Sequence, residues 1–175
     1  MNYQELLVDA SKQLKFYKFN SATLDAELIL SKTLGLSREK ILLNLNKKIN
    51  DEVLEKFNYY LKLRKKNRPI AYIIGFKDFW KYKFQVDKNV LIPRPETELI
   101  IEQALKNLPR LSKKNILDIG TGSGCIIISI IKERENCKAT AIDKSLKALK
   151  VAKLNAEMHH VQKKIKFLNI DVDKY

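Results

Sequence analysis

The sequence predicts two architectures in series: a small α-helical bundle first, and an α/β half-domain built on a parallel sheet second. Three observations predict this. Apolar residues recur at helical spacing as far as residue 68, the period shifts to alternation after Ile70, and from Asn115 strand-like and helix-like runs alternate around a glycine-rich turn. The boundaries that follow are a helical domain over 1–68, a β-hairpin linker over 69–92, and an incomplete α/β domain over 93–175. There are no internal repeats and no low-complexity tracts.

The elements follow in order. Leu7, Ala10, Leu14 and Tyr17 form one apolar stripe of a first helix. Asn20 or Ser21 caps a second, with Leu24, Leu28 and Leu34 expected inside and Gly35 as its stop. Ser37 caps a short third helix through Ile41, Leu42 and Leu45. Asn50 and Asp51 start a fourth, faced by Val53, Phe57, Tyr60 and Leu61, and it ends before Pro69 because proline disfavours a helical residue at Arg68. The runs IAYIIGFKDFW and YKFQVDKNVLI then read as two strands, broken near Gly75 and at Asp87–Asn89. After Pro93, Arg94 and Pro95 a helix begins, with Pro95 at its first position and Glu96 and Glu98 where the dipole favours negative charge.

The α/β part reads as a buried strand at 115–119, a turn at 120–124, an apolar helix at 125–132, a strand at 139–142, a helix at 145–158 and a strand at 165–170. Leu146, Leu149, Ala152 and Ala156 form the inward face of the second of these helices. Alternation of this kind implies a parallel sheet with right-handed crossovers. Ending after the third strand, it would leave the first strand with an open edge and apolar faces.

Composition narrows the functional classes. The formal charge is +14, and only six of the 34 basic residues are Arg, the side chain suited to bidentate phosphate or guanine contacts. The excess is spread along the chain. A lysine-rich coding bias and an acidic or RNA-associated partner both account for it. No run of roughly 18 apolar residues is present, which excludes a membrane-spanning helix. The N-terminus lacks the pattern of a signal peptide, so a cytoplasmic, reduced location is expected. Cys125 and Cys137 match no metal spacing and read as small buried hydrophobes, so no metal is expected. His159 and His160 fall near a helix end, where a cation suits the dipole.

The chemistry is concentrated in LDIGTGSGCIII. Glycines at 120, 122 and 124 supply positive φ or a backbone without a Cβ in the way, and the next helix offers free N–H groups. The spacing is G-x-G-x-G, and Cys125 stands where a pyrophosphate-binding turn would have its third glycine. A phosphate-free nucleoside bearing a carboxylate fits better, and S-adenosylmethionine is the common one. Asp143 follows Gly124 by 19 residues, at a strand end where a carboxylate can take both ribose hydroxyls. Asp118 stands to support the turn or to face the amino-acid end of the ligand. Asp171 is a candidate acceptor for the adenine amino group and Val172 an apolar wall, though both also suit an ordinary loop.

Two segments together, RPIAYIIGFKDFWKYKFQVDKNVLIPRPETE and NILDIGTGSGCI, resemble the HemK-like protein-(glutamine-N5) methyltransferases, which modify class I peptide-chain release factors. The resemblance covers the entire chain, and LIPRPETE is its more specific motif. It implies a Rossmann-like S-adenosylmethionine methyltransferase half-domain, preceded by a helical domain that recognises the protein substrate. It also implies cofactor contacts from Gly120, Thr121, Gly122, Ser123, Gly124, Asp143, Asp171 and Val172. Arg94, Pro95, Glu96 and Thr97 match the segment bordering the substrate pocket. Asp78 stands where the family more often has Glu. The family's substrate-binding Asn-Pro-Pro-Tyr follows the fourth strand, and the sequence ends at Tyr175 ahead of it. The expectation is therefore an incomplete fragment with no activity of its own. Two alternatives stand beside it: an adenine-N6 nucleic-acid methyltransferase, and a non-catalytic truncated fragment that binds cofactor or partner.

Overall fold

The computed structural model describes residues 1–172; the last three residues of the expected 93–175 segment lie outside them. The chain divides into two compact units, Met1–Ile74 and Gly75–Tyr175.

The first unit is helical: α1 (Tyr3–Phe16), α2 (Ala22–Leu34), α3 (Arg38–Leu42), α4 (Asp51–Lys65) and α5 (Ile70–Ile74). Local chemistry sets the boundaries. Asn2 and Glu5 form a reciprocal capping box on α1, in which Asn2 Oδ1 accepts the Glu5 N–H at 2.9 Å and Glu5 Oε2 accepts the Asn2 N–H at 3.0 Å. Asn50 accepts the Val53 N–H to start α4, and Gly35 ends α2 in the left-handed region at φ 66°. The core gathers Leu6, Leu14, Ile29, Leu30, Ile41, Phe57 and Leu61. The Asp25 carboxylate is buried there too, and Arg64 Nε donates to it at 2.7 Å. A buried charge without such a partner would carry a large desolvation cost.

The stripe of α2 differs from expectation. Leu24 is exposed, Leu28 and Leu34 are only partly covered, and the inner face is made by Ala22, Ala26, Ile29 and Leu30. Packed on its neighbours α1, α3, α4 and α5, α2 turns its two small residues inward. Tyr17 is likewise exposed, because it caps α1 and no longer lies on its buried face. A third correction concerns Ile70–Ile74, expected as strand and found as a helical turn. Its N–H groups at Tyr72 and Ile73 bond the Pro69 carbonyl, and Ile70 and Ile73 join the helical core. Burial in a helical core overrides the strand preference of these β-branched residues.

The second unit opens with the hairpin of β1 (Phe76–Phe79) and β2 (Tyr82–Gln85), paired from Phe76 with Gln85 to Phe79 with Tyr82. Trp80 occupies the turn at φ 56°. Phe79 and Phe84 belong to the core of this unit, together with Ile101, Ile127, Ile128 and Ile131. The hairpin is thus packed into the α/β unit and is shorter than the 69–92 linker foreseen. The Asp87–Asn89 break is an Asx turn, with the Asn89 N–H on Asp87 Oδ1 at 2.8 Å. A 3₁₀ turn at Pro95–Thr97 leads into α6 (Glu98–Asn107).

A Rossmann-like half-sheet follows, with β3 (Asn115–Ile119), α7 (Cys125–Glu133), β4 (Lys138–Asp143), α8 (Leu146–Met158) and β5 (Ile165–Asn169). The three strands are parallel in the order β3-β4-β5, so β4 is central and β3 is an edge among the described residues. Ala139 and Ala141 of β4 join the core with residues of α7 and α8. Leu117 and Ile119 of the expected buried strand are 59% and 58% exposed, because alternate residues of β3 point to a face that no described element covers. Leu146 is also exposed at the first position of α8, whereas Leu149, Ala152 and Ala156 are buried as expected.

Candidate functional site

The three turn glycines adopt positive φ: 74° at Gly120, 56° at Gly122 and 78° at Gly124. Their surroundings differ. A Cβ on Gly124 would meet Ile128 Cδ1 at 2.8 Å and Ala152 Cβ at 3.3 Å, so this glycine is required by packing between α7 and α8. A Cβ on Gly120 would meet nothing within 4 Å. That backbone faces open space, where a ligand can approach it closely.

The turn is held from several sides. The N–H groups of Gly120 and Thr121 donate to the Ile142 carbonyl, and the Gly124 N–H donates to Thr121 O. Thr121 Oγ1 donates to Asp118 Oδ2 at 2.7 Å. The Gly122 N–H donates to Asp143 Oδ2 at 2.9 Å, and the Ser145 N–H donates to Asp143 Oδ1 at 2.8 Å. Asp143 therefore ties the glycine turn to the start of α8, where Ser145 Oγ caps Ala148 N–H. Each of its oxygens uses one lone pair in this way and keeps another for a ligand.

Asp118 lies in the electrostatic influence of Asp143. Burial, and then the nearby Asp143 charge, push its carboxyl above the ordinary range, against the Thr121 hydrogen bond. Burial also raises the Cys125 thiol to about 11, so this cysteine stays a neutral core group at neutral pH. His159 departs from the cationic role expected of it. Burial, with Lys132 and His160 nearby, lowers its pKa, and its Nε2 lies 2.8 Å from the Lys83 carbonyl.

A pocket of about 300 Å³ opens at the carboxyl edge of the sheet, lined by Ile119, Gly120, Ile142, Asp143, Lys144, Ile170, Asp171 and Val172. It brings together Gly120, Asp143, Asp171 and Val172 from three separate stretches. Thr121 and Ser123 are buried, and neither they nor Gly122 and Gly124 line the pocket. Arg94, Pro95, Glu96 and Thr97 stand apart as the 3₁₀ turn ahead of α6 and do not line this pocket. A roomier hollow of about 560 Å³ beside Arg110, Lys132 and Glu133 contains none of the expected site residues.

One buried residue of the site was not anticipated. Asn155 lies on the inward face of α8 and bonds both Ser123 O and the Gln85 peptide. A polar residue within the stripe of Leu149, Ala152 and Ala156 was the available signal.

Comparison with known proteins accords with this geometry. Residues 5–75 match the model of the PrmC N-terminal domain, and residues 97–174 match the methyltransferase small domain. The release factor glutamine methyltransferase of Coxiella burnetii is 40% identical over 162 residues, 93% of this chain and 58% of that protein. That of Caulobacter vibrioides is 40% identical over 147 residues, covering 84% of this chain and 51% of its own length. A bifunctional methyltransferase of Rickettsia felis is 34% identical over 193 residues, covering 95% of this chain and 37% of that protein. The chain thus spans about half the length of the curated release factor methyltransferases it matches. With a helical unit, a parallel half-sheet and both domain models matched in order, the chain is similar over most of its length to the HemK/PrmC family.

Proposed function

We propose that the protein transfers a methyl group from S-adenosylmethionine to the side-chain amide nitrogen of a glutamine in class I release factors, and that the pocket at 119–120, 142–144 and 170–172 holds the cofactor. The carrying observation is the convergence of a bare glycine peptide, a carboxylate with spare lone pairs and an apolar wall on one pocket. When bound, S-adenosylmethionine supplies a sulfonium methyl group. Asp143 accepts the sugar hydroxyls, Gly120 admits the ligand against its backbone, and Asp171 and Val172 flank the base. Thr121, Gly122, Ser123 and Gly124 hold the turn in shape. The Asp143 charge, which helps burial raise the Asp118 carboxyl, favours a cationic ligand at this edge.

The acceptor is a demanding one. An amide nitrogen is a poor nucleophile because its lone pair is delocalised into the carbonyl. It has to be oriented, with its N–H groups accepted by fixed oxygens. Arg94, Pro95, Glu96 and Thr97 border the substrate's approach in this reading, and the helical unit grips the release factor.

The test is calorimetry of S-adenosylmethionine with the 175-residue chain and with Asp143→Ala. Loss of charged hydrogen bonds of this kind costs about 1.5–3 kcal/mol, so affinity falls roughly tenfold or more. No heat with the wild-type chain, or undiminished heat with the variant, would overturn the assignment of this pocket.

A second reading, methylation of adenine in nucleic acid, draws on a groove of about 420 Å³ in which Lys138, Lys163, Lys164 and Lys166 come together from separate segments. Methyl transfer to release factor against RNA, by the protein carrying its whole methyltransferase domain, separates the two.

A further inference from the structure

We infer that Asn155 is the positioning residue of the glycine turn, coupling the hairpin to the cofactor pocket through its side-chain amide. The inference rests on the proposed reading of 120–124 as a cofactor-holding turn. It adds to that reading a residue that touches no ligand.

The geometry is specific. Asn155 is fully buried at 0% exposure on α8. Its Oδ1 accepts the Gln85 N–H at 2.7 Å, and its Nδ2 donates to Gln85 O at 3.0 Å and to Ser123 O at 2.8 Å. The orientation of the amide is fixed by these partners, because the Gln85 N–H needs an acceptor while both carbonyls need a donor. Asn155 therefore continues the edge of the hairpin as another strand would, and spends its remaining hydrogen on the turn. Three residues earlier on the same face of α8, Ala152 sits against Gly124. The same helix begins at Ser145, whose N–H is bonded to Asp143. One helix thus fixes the pocket's acid at its start and the turn's last peptides near its end.

The alternative is that Asn155 only satisfies the hairpin's loose polar groups. The two differ in where a lesion is felt. A purely structural role lowers stability everywhere in the unit, while a positioning role loosens the turn in particular. Leaving Ser123 O unpaired in a buried place releases the peptide next to Gly122, whose N–H must reach Asp143.

Hydrogen exchange on the 175-residue chain, read alongside S-adenosylmethionine affinity, decides the matter. The variants are Asn155→Ala and Gln85→Pro; the second removes the N–H bonded to Asn155 without altering position 155. Exposed Lys153→Ala on the same helix is the control. In both test variants, exchange at Gly122 and Gly124 rises about tenfold relative to the amides of Ile128 and Ile131, and affinity falls about tenfold, as expected for a buried bond worth roughly 1–3 kcal/mol. Lys153→Ala changes neither. Exchange that rises only in step with α7 overturns the proposal, as does a loosened turn with unchanged affinity. A wild-type chain that takes up no S-adenosylmethionine overturns the cofactor reading instead, while the exchange ratio still decides whether the clamp exists.

Discussion

The helical unit and the α/β unit solve the burial problem differently. In Met1–Ile74 helices pack around one core, and its buried carboxylate Asp25 is paired with Arg64. In Gly75–Tyr175 one side of the sheet is closed by α7 and α8, while the other shows Leu117 and Ile119 to solvent beside a lysine-lined groove. The glycine turn lies in the second unit, at the carboxyl edge of that half-covered sheet. A sheet edge offers unpaired carbonyls and strand ends to a ligand, whereas a bundle spends its backbone groups within its own helices.

Substitutions sharpen the contrast. The largest effect is expected from Phe57→Ala, at the fully buried centre of the helical unit. Truncation of such a residue costs about 3–5 kcal/mol, seen as a lower denaturant midpoint and lost exchange protection within 1–74. A loss below about 1 kcal/mol would show a core that collapses readily around the gap. Gly124→Ala is next. It combines positive φ with a contact on Ile128, and roughly 1–3 kcal/mol is expected in thermal unfolding of the second unit. The smallest effect is expected from Leu117→Gln, which should change stability by less than about 0.5 kcal/mol because its side chain already faces solvent. A destabilisation as large as that of Phe57→Ala would mean that the open sheet face is covered in solution, and the comparison would fail.

Legibility from sequence followed the range of the interactions. The glycine turn and Asp143 were readable because positive φ and a strand-end acid are demands met within a few residues. Helix caps at Asn50 and Ser37 were readable for the same reason. The face of α2 was not, since Leu24 and Ala26 compete for the inside and only the packed neighbours choose between them. Ile70–Ile74 carries strand-like residues and is helical because its partners are helices. Leu117 and Ile119 looked like core because an apolar strand carries no mark of how many of its faces are covered. Asn155 lay furthest from view, as its partner Gln85 is 70 positions away.

The setting of Trp80 has a practical consequence. Its N–H donates to Glu98 Oε1, and its indole Nε1 donates to Glu133 Oε1, which also receives Lys81 and the Tyr82 hydroxyl. As the sole tryptophan of the chain, it makes intrinsic emission a native reporter confined to the α/β unit. Five of the seven tyrosines, Tyr3, Tyr17, Tyr59, Tyr60 and Tyr72, belong to the helical unit, so tyrosine emission is weighted toward that unit while tryptophan emission follows the other.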